Sequence, residues 1–193
     1  MRGRLLSPAA VVLVLAVATV STGCGGNGGD DSSTLGDIRA NGTDVAFVNA
    51  MIPHHEQAVD AADLALARAE HAQLKRLARE IIQSQSVELT TLRTVRDVLQ
   101  EGGIEEGDLG VSEQETGTDH DAASLRTAKD FDCAFLELMI PHHEGAIRMA
   151  RAELKAGIHA ELRRMSENII DMQGFELRQM RRYQRQWCGS AQP

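Results

Sequence analysis

The sequence predicts an all-α protein, an up-down-up-down four-helix bundle made of two tandem helical hairpins. Two observations support this prediction: a gapless internal repeat, and apolar residues that recur at steps of three and four within each copy. His54 corresponds to His142, an offset of 142 − 54 = 88 residues, and the same offset relates Phe47 to Phe135. No segment has a convincing strand pattern. The chain therefore reads as an internal duplication of one hairpin.

The first residues read as an export signal. An apolar run from Leu5 to Val20 follows two arginines and is short for a membrane span, and Ser21-Thr22-Gly23 precedes Cys24. These small residues resemble a lipobox, although Ser21 stands where Leu is usual. We expect cleavage before Cys24 and a lipid on its thiol; an ordinary signal peptide or an uncleaved anchor is the alternative. Residues 1–23 are then the signal and 24–43 a flexible tether, which predicts an exported protein lipid-anchored to the outer face of the cell membrane.

The mature chain is acidic. The signal removes two of the 20 Lys and Arg residues and none of the 28 Asp and Glu residues, so the net charge becomes 18 − 28 = −10. This charge argues against a nucleic-acid partner, and the sequence identifies no protein partner. The 193 − 23 = 170 residues that remain suit one domain with a real core, expected over residues 44–190.

Each repeat unit reads as two helices. Residues 44–69 are rich in Ala, Leu and Val with a narrow polar stripe, which predicts a mostly buried helix. Residues 72–100 carry an apolar seam at alternating steps of four and three, which is typical of a bundle helix. Short connections make each helix pair an antiparallel hairpin. The units span 44–100 and 130–188, and the linker 101–129 is rich in Gly and acids, with one helical turn expected near 122–128.

Polar side chains interrupt both seams at the same height. Gln85 and Glu88 occupy two successive core positions, and Gln173 and Glu176 do so in the second unit. A buried carboxylate is costly unless it is paired, so partners must meet these residues. Folding each hairpin about its turn brings one histidine pair to this height in each unit. The pairs are His54 and His55, and His142 and His143.

A proline precedes each histidine pair. Pro53 and Pro141 cannot donate a backbone hydrogen bond, so each helix is expected to kink or restart there and to let polar side chains turn inward. Adjacent residues point about 100° apart around a helix. One histidine of each pair can therefore face the bundle axis while the other packs toward a neighbouring helix, and the sequence leaves open which does which.

The repeated motifs carry a family resemblance. "MIPHHEQA" and "MIPHHEGAIRMA", each followed by Ile-Ile-x-x-Gln-x-x-Glu-Leu, resemble the DUF305 family of secreted bacterial proteins over residues 44–93 and 132–181. The resemblance implies a ferritin-like helical bundle, similar to a cyanobacterial copper-binding protein, that binds copper through His and Met. Members often carry Met seven residues after the first His and four after the Glu. This chain keeps them as Met149 and Met180, and its first unit lacks both.

The candidate ligand types favour some metals over others. Imidazole with thioether suits Cu(I), whereas imidazole with carboxylate suits Cu(II), Zn or Fe(II). A ferritin-type di-iron centre uses four carboxylates and two Glu-x-x-His pairs, but this chain supplies Gln-x-x-Glu. A hydrogen-bonded core network without metal is the alternative. The candidate metal ligands are His54, His55, Gln85, Glu88, His142, His143, Met149, Gln173, Glu176 and Met180.

Two cysteines remain in the mature chain besides Cys24. In an oxidising compartment an even pair favours a disulfide. Folding the second hairpin about position 158.5 places Cys133 level with residue 317 − 133 = 184, one helical turn from Cys188. We expect a Cys133–Cys188 disulfide at the open end of the hairpin, with a thiol copper ligand at either position as the alternative.

The predicted function is an extracytoplasmic metal-binding lipoprotein that sequesters or passes on its ion, with copper favoured and other transition metals left open. The alternative is a structural or interaction bundle whose His and Glu side chains only bond to each other. An enzyme is not expected, because the sequence has no nucleophile-and-base arrangement, phosphate loop or acid pair beside a substrate cleft.

Overall fold

The structure is a computed structural model that describes residues 39–118 and 122–189. Within these residues it has four α-helices and no strand, which confirms the all-α fold. The helices are α1 (Gly42–Arg68), α2 (Ala72–Glu101), α3 (Phe131–Ala156) and α4 (Ala160–Trp187). None of the described helices is long and apolar enough to cross a membrane. The predicted signal peptide, Cys24 and most of the tether lie outside the described residues.

The two repeat units cap each other. The carboxylate of Asp44, in the first turn of α1, accepts hydrogen bonds from the backbone N–H groups of Ile158 (3.0 Å) and His159 (2.9 Å), where α4 starts. Asp132, at the equivalent position 44 + 88 of α3, accepts in turn from the N–H groups at 70 (3.0 Å) and 71 (2.9 Å), where α2 starts. In both second helices, the backbone N–H groups of the N-cap residue and of the residue before it are thus bonded by the other unit.

These reciprocal caps make α1 and α3 antiparallel, because the start of each lies at the end of the other. The helix directions are therefore up, down, down, up, whereas the sequence analysis expected up-down-up-down. The observed order is that of ferritin-like bundles with one long crossover. The physical reason is the length of the linker between the hairpins, which lets the second hairpin enter from the opposite end.

The linker crosses the whole length of the bundle, and residues 102–130 are called the crossover segment below. At one end the N–H of Gly107 donates to the carbonyl of Gly42 (2.8 Å). At the other end the Arg68 guanidinium donates to the carbonyl of Ala128 (2.7 Å). Two 3-10 helices lie between these ends, at Glu113–Thr116 and Ala122–Arg126; the second falls at the turn expected near 122–128, and the first was not expected.

The apolar core is divided into two clusters. The first-turn cluster is named for the connection between α1 and α2, near which it lies, and it includes Phe135, Leu74 and Ile81. The second-turn cluster lies near the connection between α3 and α4 and includes Phe47 and Leu92. Small alanines on α1 and α3 let these two helices pack closely along their length, whereas α2 and α4 contact each other little. A polar layer separates the two clusters.

A disulfide joins Cys133 near the start of α3 to Cys188 at the end of α4, with the Cα atoms 5.5 Å apart. It closes a loop of 55 residues, and constraint of the unfolded chain by a loop of this size stabilises the fold by about 4 kcal/mol. The imidazole of His71 stacks on Trp187 beside it, with ring centroids 3.9 Å apart. The disulfide and this stack both hold the last turn of α4 at the open end of the second hairpin.

A carboxyl group without a counterpart in the first repeat lies beside one of the reciprocal caps. Glu153, in the last turns of α3, is fully buried, and its equivalent in α1 is Ala65. Burial, followed by the nearby carboxyl of Asp44, raises the pKa of Glu153 to about 8. Glu153 is therefore protonated in the folded protein at neutral pH.

This raised pKa predicts a pH-dependent stability. Between pH 4.5, the ordinary pKa of Glu, and about pH 8, the unfolded chain has released the Glu153 proton while the folded chain retains it. The free energy of unfolding therefore decreases as pH rises through this window. We expect Glu153→Gln to be increasingly more stable than wild type between pH 4.5 and about 8, with a constant difference above. Urea unfolding over this range measures it, with exposed Glu137→Gln as the control; parallel wild-type and Glu153→Gln profiles would contradict the assignment.

Candidate functional site

The polar layer at mid-height is built around four buried histidines, His54, His55, His142 and His143, called the imidazole layer below. The helices α1 and α3 continue unbroken through Pro53 and Pro141, so of the expected kink or restart, the restart does not occur. Each proline ring removes one backbone donor from the helix just before the histidine pair.

The inner pair of the layer, His54 and His142, meets across the contact between α1 and α3. The ring centroids are 3.6 Å apart. The Nε2 of His54 donates to the carbonyl oxygen of His142 (3.1 Å), and the Nε2 of His142 donates to the carbonyl oxygen of His54 (3.0 Å). These reciprocal bonds mark the pseudo-twofold axis that relates the two repeats.

The outer pair bonds within its own hairpins. The Nε2 of His55 donates to the carboxylate of Glu88 (2.7 Å), and the Nε2 of His143 donates to the carboxylate of Glu176 (2.8 Å). The carboxylate of Glu176 is buried, whereas 17% of the Glu88 side chain is exposed. The predicted meeting of imidazoles with seam carboxylates therefore involves His55 and His143, while His54 and His142 face each other.

The bonding pattern defines the tautomer of all four rings. Carbonyl and carboxylate oxygens only accept hydrogen bonds, so each Nε2 carries the hydrogen. The Nδ1 atom of each ring is buried and has no hydrogen-bond partner. A hydrogen on Nδ1 would be a buried donor without an acceptor, which is costly. Each ring therefore presents an unprotonated Nδ1 lone pair to the interior.

Burial keeps the inner pair neutral. Desolvation, followed by the neighbouring His55, lowers the pKa of His54 to about 3. Desolvation is the main cause that holds the pKa of His142 well below its usual value, and the neighbouring His54 imidazole is the next. A neutral imidazole whose other nitrogen donates to a carboxylate or a backbone carbonyl is the form in which histidine usually ligates metals.

Two buried amides accompany the layer. Gln85 and Gln173 lie one turn before Glu88 and Glu176, and neither amide oxygen nor amide nitrogen has a hydrogen-bond partner. Buried amides without partners are rare because each lost bond costs free energy. The layer thus holds unused donors and acceptors in both halves of the bundle.

The thioethers do not complete one site in the second unit. Met149 belongs to the second-turn cluster and Met180 to the first-turn cluster, so they lie on opposite sides of the imidazole layer. Both are fully buried, and Met51 and Met139, related by the repeat, also lie one on each side.

The carboxylates that directly follow the histidine pairs point outward. Glu56 pairs with Arg93 (2.7 Å) and Glu144 pairs with Arg181, both near the surface. His159 lies at the start of α4, where its side chain accepts from the N–H of Leu162 (3.4 Å). These bonds hold the three side chains at the surface and at a helix start, away from the imidazole layer.

The side chains as placed do not form a closed metal cage. Within residues 39–118 and 122–189, no three His, Cys, Asp or Glu side chains converge closely enough to hold an ion. The donor types nearby are imidazole nitrogens whose second nitrogens are hydrogen-bonded, and thioethers in the two apolar clusters, and these donor types suit a soft cation. An ion bound at Nδ1 would complete its shell from thioether, amide or water ligands.

One contact to the layer comes from the linker and was not foreseen in the sequence. The carbonyl oxygen of Thr116 in the first 3-10 helix is a second acceptor for Nε2 of His54 (3.1 Å). The repeat contains a signal for it, because Gly145 replaces the equivalent Gln57. A Cβ atom on Gly145 would lie 1.6 Å from this same Thr116 oxygen.

The fold and the site define a class of protein: a duplicated all-helical bundle whose core layer consists of paired histidines hydrogen-bonded to glutamates and to backbone carbonyls. The profile of the domain of unknown function DUF305 matches residues 44–184. The chain belongs to the DUF305 family.

Solved structures with the same fold include metal complexes. CopM in its Cu(I)-bound form is 34% identical, with 76% of this chain and 98% of CopM aligned at a TM-score of 0.63. CopM in its Cu(II)-bound form aligns over 75% of this chain and 97% of CopM at a TM-score of 0.64, with the same identity. A DUF305 fragment from Deinococcus radiodurans is 30% identical over 74% of this chain and 95% of the fragment, with a TM-score of 0.61. No curated protein matches the chain.

The lowered pKa values of the inner pair predict acid sensitivity. Between about 3 and the ordinary value of 6.5 the unfolded chain binds a proton at His54 that the folded chain excludes, so stability falls as pH decreases through this window. We expect the double variant His54→Gln/His142→Gln, which keeps an N–H donor for each carbonyl, to lose part of this dependence. Urea unfolding of metal-free protein between pH 4 and pH 7 measures it. His159→Gln is the control, and an unchanged slope in the double variant would contradict the buried neutral state.

Proposed function

We propose that this protein binds copper outside the cytoplasm and sequesters it or passes it on, without catalysing a reaction. The observation that supports this proposal is the set of four buried Nδ1 atoms without hydrogen-bond partners. Their rings are oriented by carboxylates and carbonyls through Nε2, the arrangement that raises ligand basicity in metal sites. Copper is the proposed cargo because imidazole and thioether donors together favour Cu(I), and because the related CopM has Cu(I)-bound and Cu(II)-bound forms.

A structural role for the layer is the second candidate. It is favoured by the bonds that already satisfy every Nε2, and by the lack of three convergent ligands among the described residues. In that case the histidines fix which faces of α1 and α3 meet, as buried polar groups do in some helical assemblies. The two candidates differ in what removal of the imidazoles does to metal affinity.

Titration of the purified mature chain with Cu(I), Cu(II) and Zn separates the candidates. We expect Cu(I) to bind most tightly, and His142→Gln/His143→Gln to weaken its binding more than about tenfold because two nitrogen donors are lost. Glu88→Gln/Glu176→Gln keeps the imidazoles but replaces their carboxylate partners, and we expect a loss of about 10- to 100-fold.

The matched control is His71→Gln/His159→Gln, which removes two imidazoles at helix starts outside the layer. We expect it to bind Cu(I) as wild type does. If His142→Gln/His143→Gln lowers only the melting temperature and binds copper like this control, the histidines are structural and the copper proposal is wrong.

We further propose that Cys24 carries the lipid that holds the protein at the outer face of the membrane. The support is the Ser-Thr-Gly-Cys sequence after the apolar leader, and a single lipidated cysteine ahead of a Gly-rich tether would leave the bundle in solution near the surface. We expect Cys24→Ser to move the protein from the membrane fraction to the medium or periplasm. Retention of Cys24→Ser in the membrane fraction at wild-type processing would contradict lipidation.

A further inference from the structure

The crossover segment breaks the symmetry of the imidazole layer. His54 and His142 are equivalent in the repeat and bond reciprocally to each other, but within residues 39–118 and 122–189 only His54 bonds to the linker, through the Thr116 carbonyl (3.1 Å). Residues 112–118 thus lie over the contact between α1 and α3 at the height of the layer, and they are called the strap below.

The strap lies against α3 at a position that tolerates no side chain. A Cβ on Gly145 would be 1.6 Å from the Thr116 oxygen, and a Cβ on Gly117 would be 2.1 Å from the carbonyl oxygen of Pro141. Gly117 has a φ of +74°, the left-handed region that favours glycine. Since α1 carries Gln57 where α3 carries Gly145, the strap packs directly on the backbone of α3, whereas it meets α1 through side chains, with the Gln57 amide donating to the Thr118 carbonyl (3.4 Å).

A groove occupies the space that this asymmetry leaves beside α1. Its volume is about 400 Å³, and it is lined by Pro53 and His54 on the helix side and by Glu113, Thr116 and Thr118 on the strap side. A water molecule takes up about 30 Å³ of liquid volume, so a hydrated cation fits. His54 lies at the floor with 1% of its surface exposed.

Few bonds hold the strap in place, and most of its polar contacts are internal. Ser112 donates through N–H and hydroxyl to the Glu115 carboxylate (3.0 and 2.7 Å). Its bonds to the helices include those from His54, from the Gln57 amide to the Thr118 carbonyl (3.4 Å) and from Nε of Arg148 to the Glu115 carbonyl (2.7 Å). A short, internally bonded segment that is tied to the bundle by side-chain bonds of this kind can open locally without unfolding of the core.

We propose that this groove is the port through which a hydrated cation reaches the imidazole layer, and that the strap is its gate. The identity of the cation as copper rests on the proposed function; the port itself rests on the geometry of the strap. Opening of the strap removes the Thr116 carbonyl from His54 and leaves that ring in contact with solvent. His54 is then the first imidazole that an incoming ion meets.

Chemical labelling of the metal-free full-length mature chain tests the gate without any metal. Diethyl pyrocarbonate modifies accessible imidazoles, and peptide mass analysis gives the rate at His54. Gly145→Ala displaces the strap, and we expect it to raise the His54 rate at least about fivefold because the open state becomes more populated. Gly174→Ala is the matched control, since a Cβ there meets only the Arg178 side chain at 3.7 Å.

A second variant keeps the test decisive if Gly145→Ala disturbs folding. Arg148→Ala removes the bond to the Glu115 carbonyl without adding an atom, and we expect a faster His54 reaction than in the control Arg151→Ala, which alters an exposed residue of the same helix. Hydrogen exchange of residues 112–118 verifies that the strap is released. Faster exchange of the strap with an unchanged His54 rate would overturn the proposal.

Copper kinetics then separate the port from the proposed function. We expect the association rate of Cu(I) to rise in Gly145→Ala and Arg148→Ala in proportion to the labelling rate. If wild type binds no copper, the proposed function fails while the labelling still decides the gate. If copper binds and its association rate does not follow the labelling rate, the ion enters elsewhere and the port is wrong.

Discussion

The reciprocal bonding of two neutral imidazoles at the centre of the bundle is the constraint on which the other features depend. His54 and His142 each donate to the backbone carbonyl of the other, which requires α1 and α3 to lie in close contact at this height. Burial of the pair excludes protons and lowers the pKa of His54 to about 3. The same bonds assign the hydrogen to Nε2 and leave Nδ1 with its lone pair, so packing, protonation and ligand chemistry all follow from one contact.

Duplication explains why a costly polar layer persists in a core of this size. Each hairpin meets buried polar groups of the other hairpin or of its own: Asp44 and Asp132 accept bonds at the starts of the opposite second helices, and the outer imidazoles bond to seam glutamates. The departures from the twofold symmetry are local, and they concern the open end of the second hairpin and the surface of the imidazole layer beside the strap. The disulfide joins the two helices of the second hairpin, and the strap accepts a side-chain hydrogen bond from His54 of the inner pair.

Much of the fold could be predicted from the sequence, because a gapless repeat and apolar residues at steps of three and four define the helices. Folding each hairpin about its turn then places Glu88 and Glu176 beside the histidine pairs. The direction of the second hairpin could not be predicted, because a linker of this length permits either direction. The caps at Asp44 and Asp132 that decide it join residues far apart in the chain. Which histidine faces which partner depends on that direction. The separation of Met149 from Met180 could have been predicted. Folding the second hairpin about position 158.5 puts Met149 level with residue 317 − 149 = 168, far from Met180.

The most direct test of the account is the tautomeric state of the four layer histidines, measured by nitrogen-15 NMR of the imidazole rings in metal-free protein at neutral pH. We expect hydrogen on Nε2 and none on Nδ1 in the four rings, as their hydrogen bonds require, and we expect the Nδ1 resonances to be the ones that shift when Cu(I) is added. Rings protonated at Nδ1, or Nδ1 resonances that do not respond to bound copper, would contradict it.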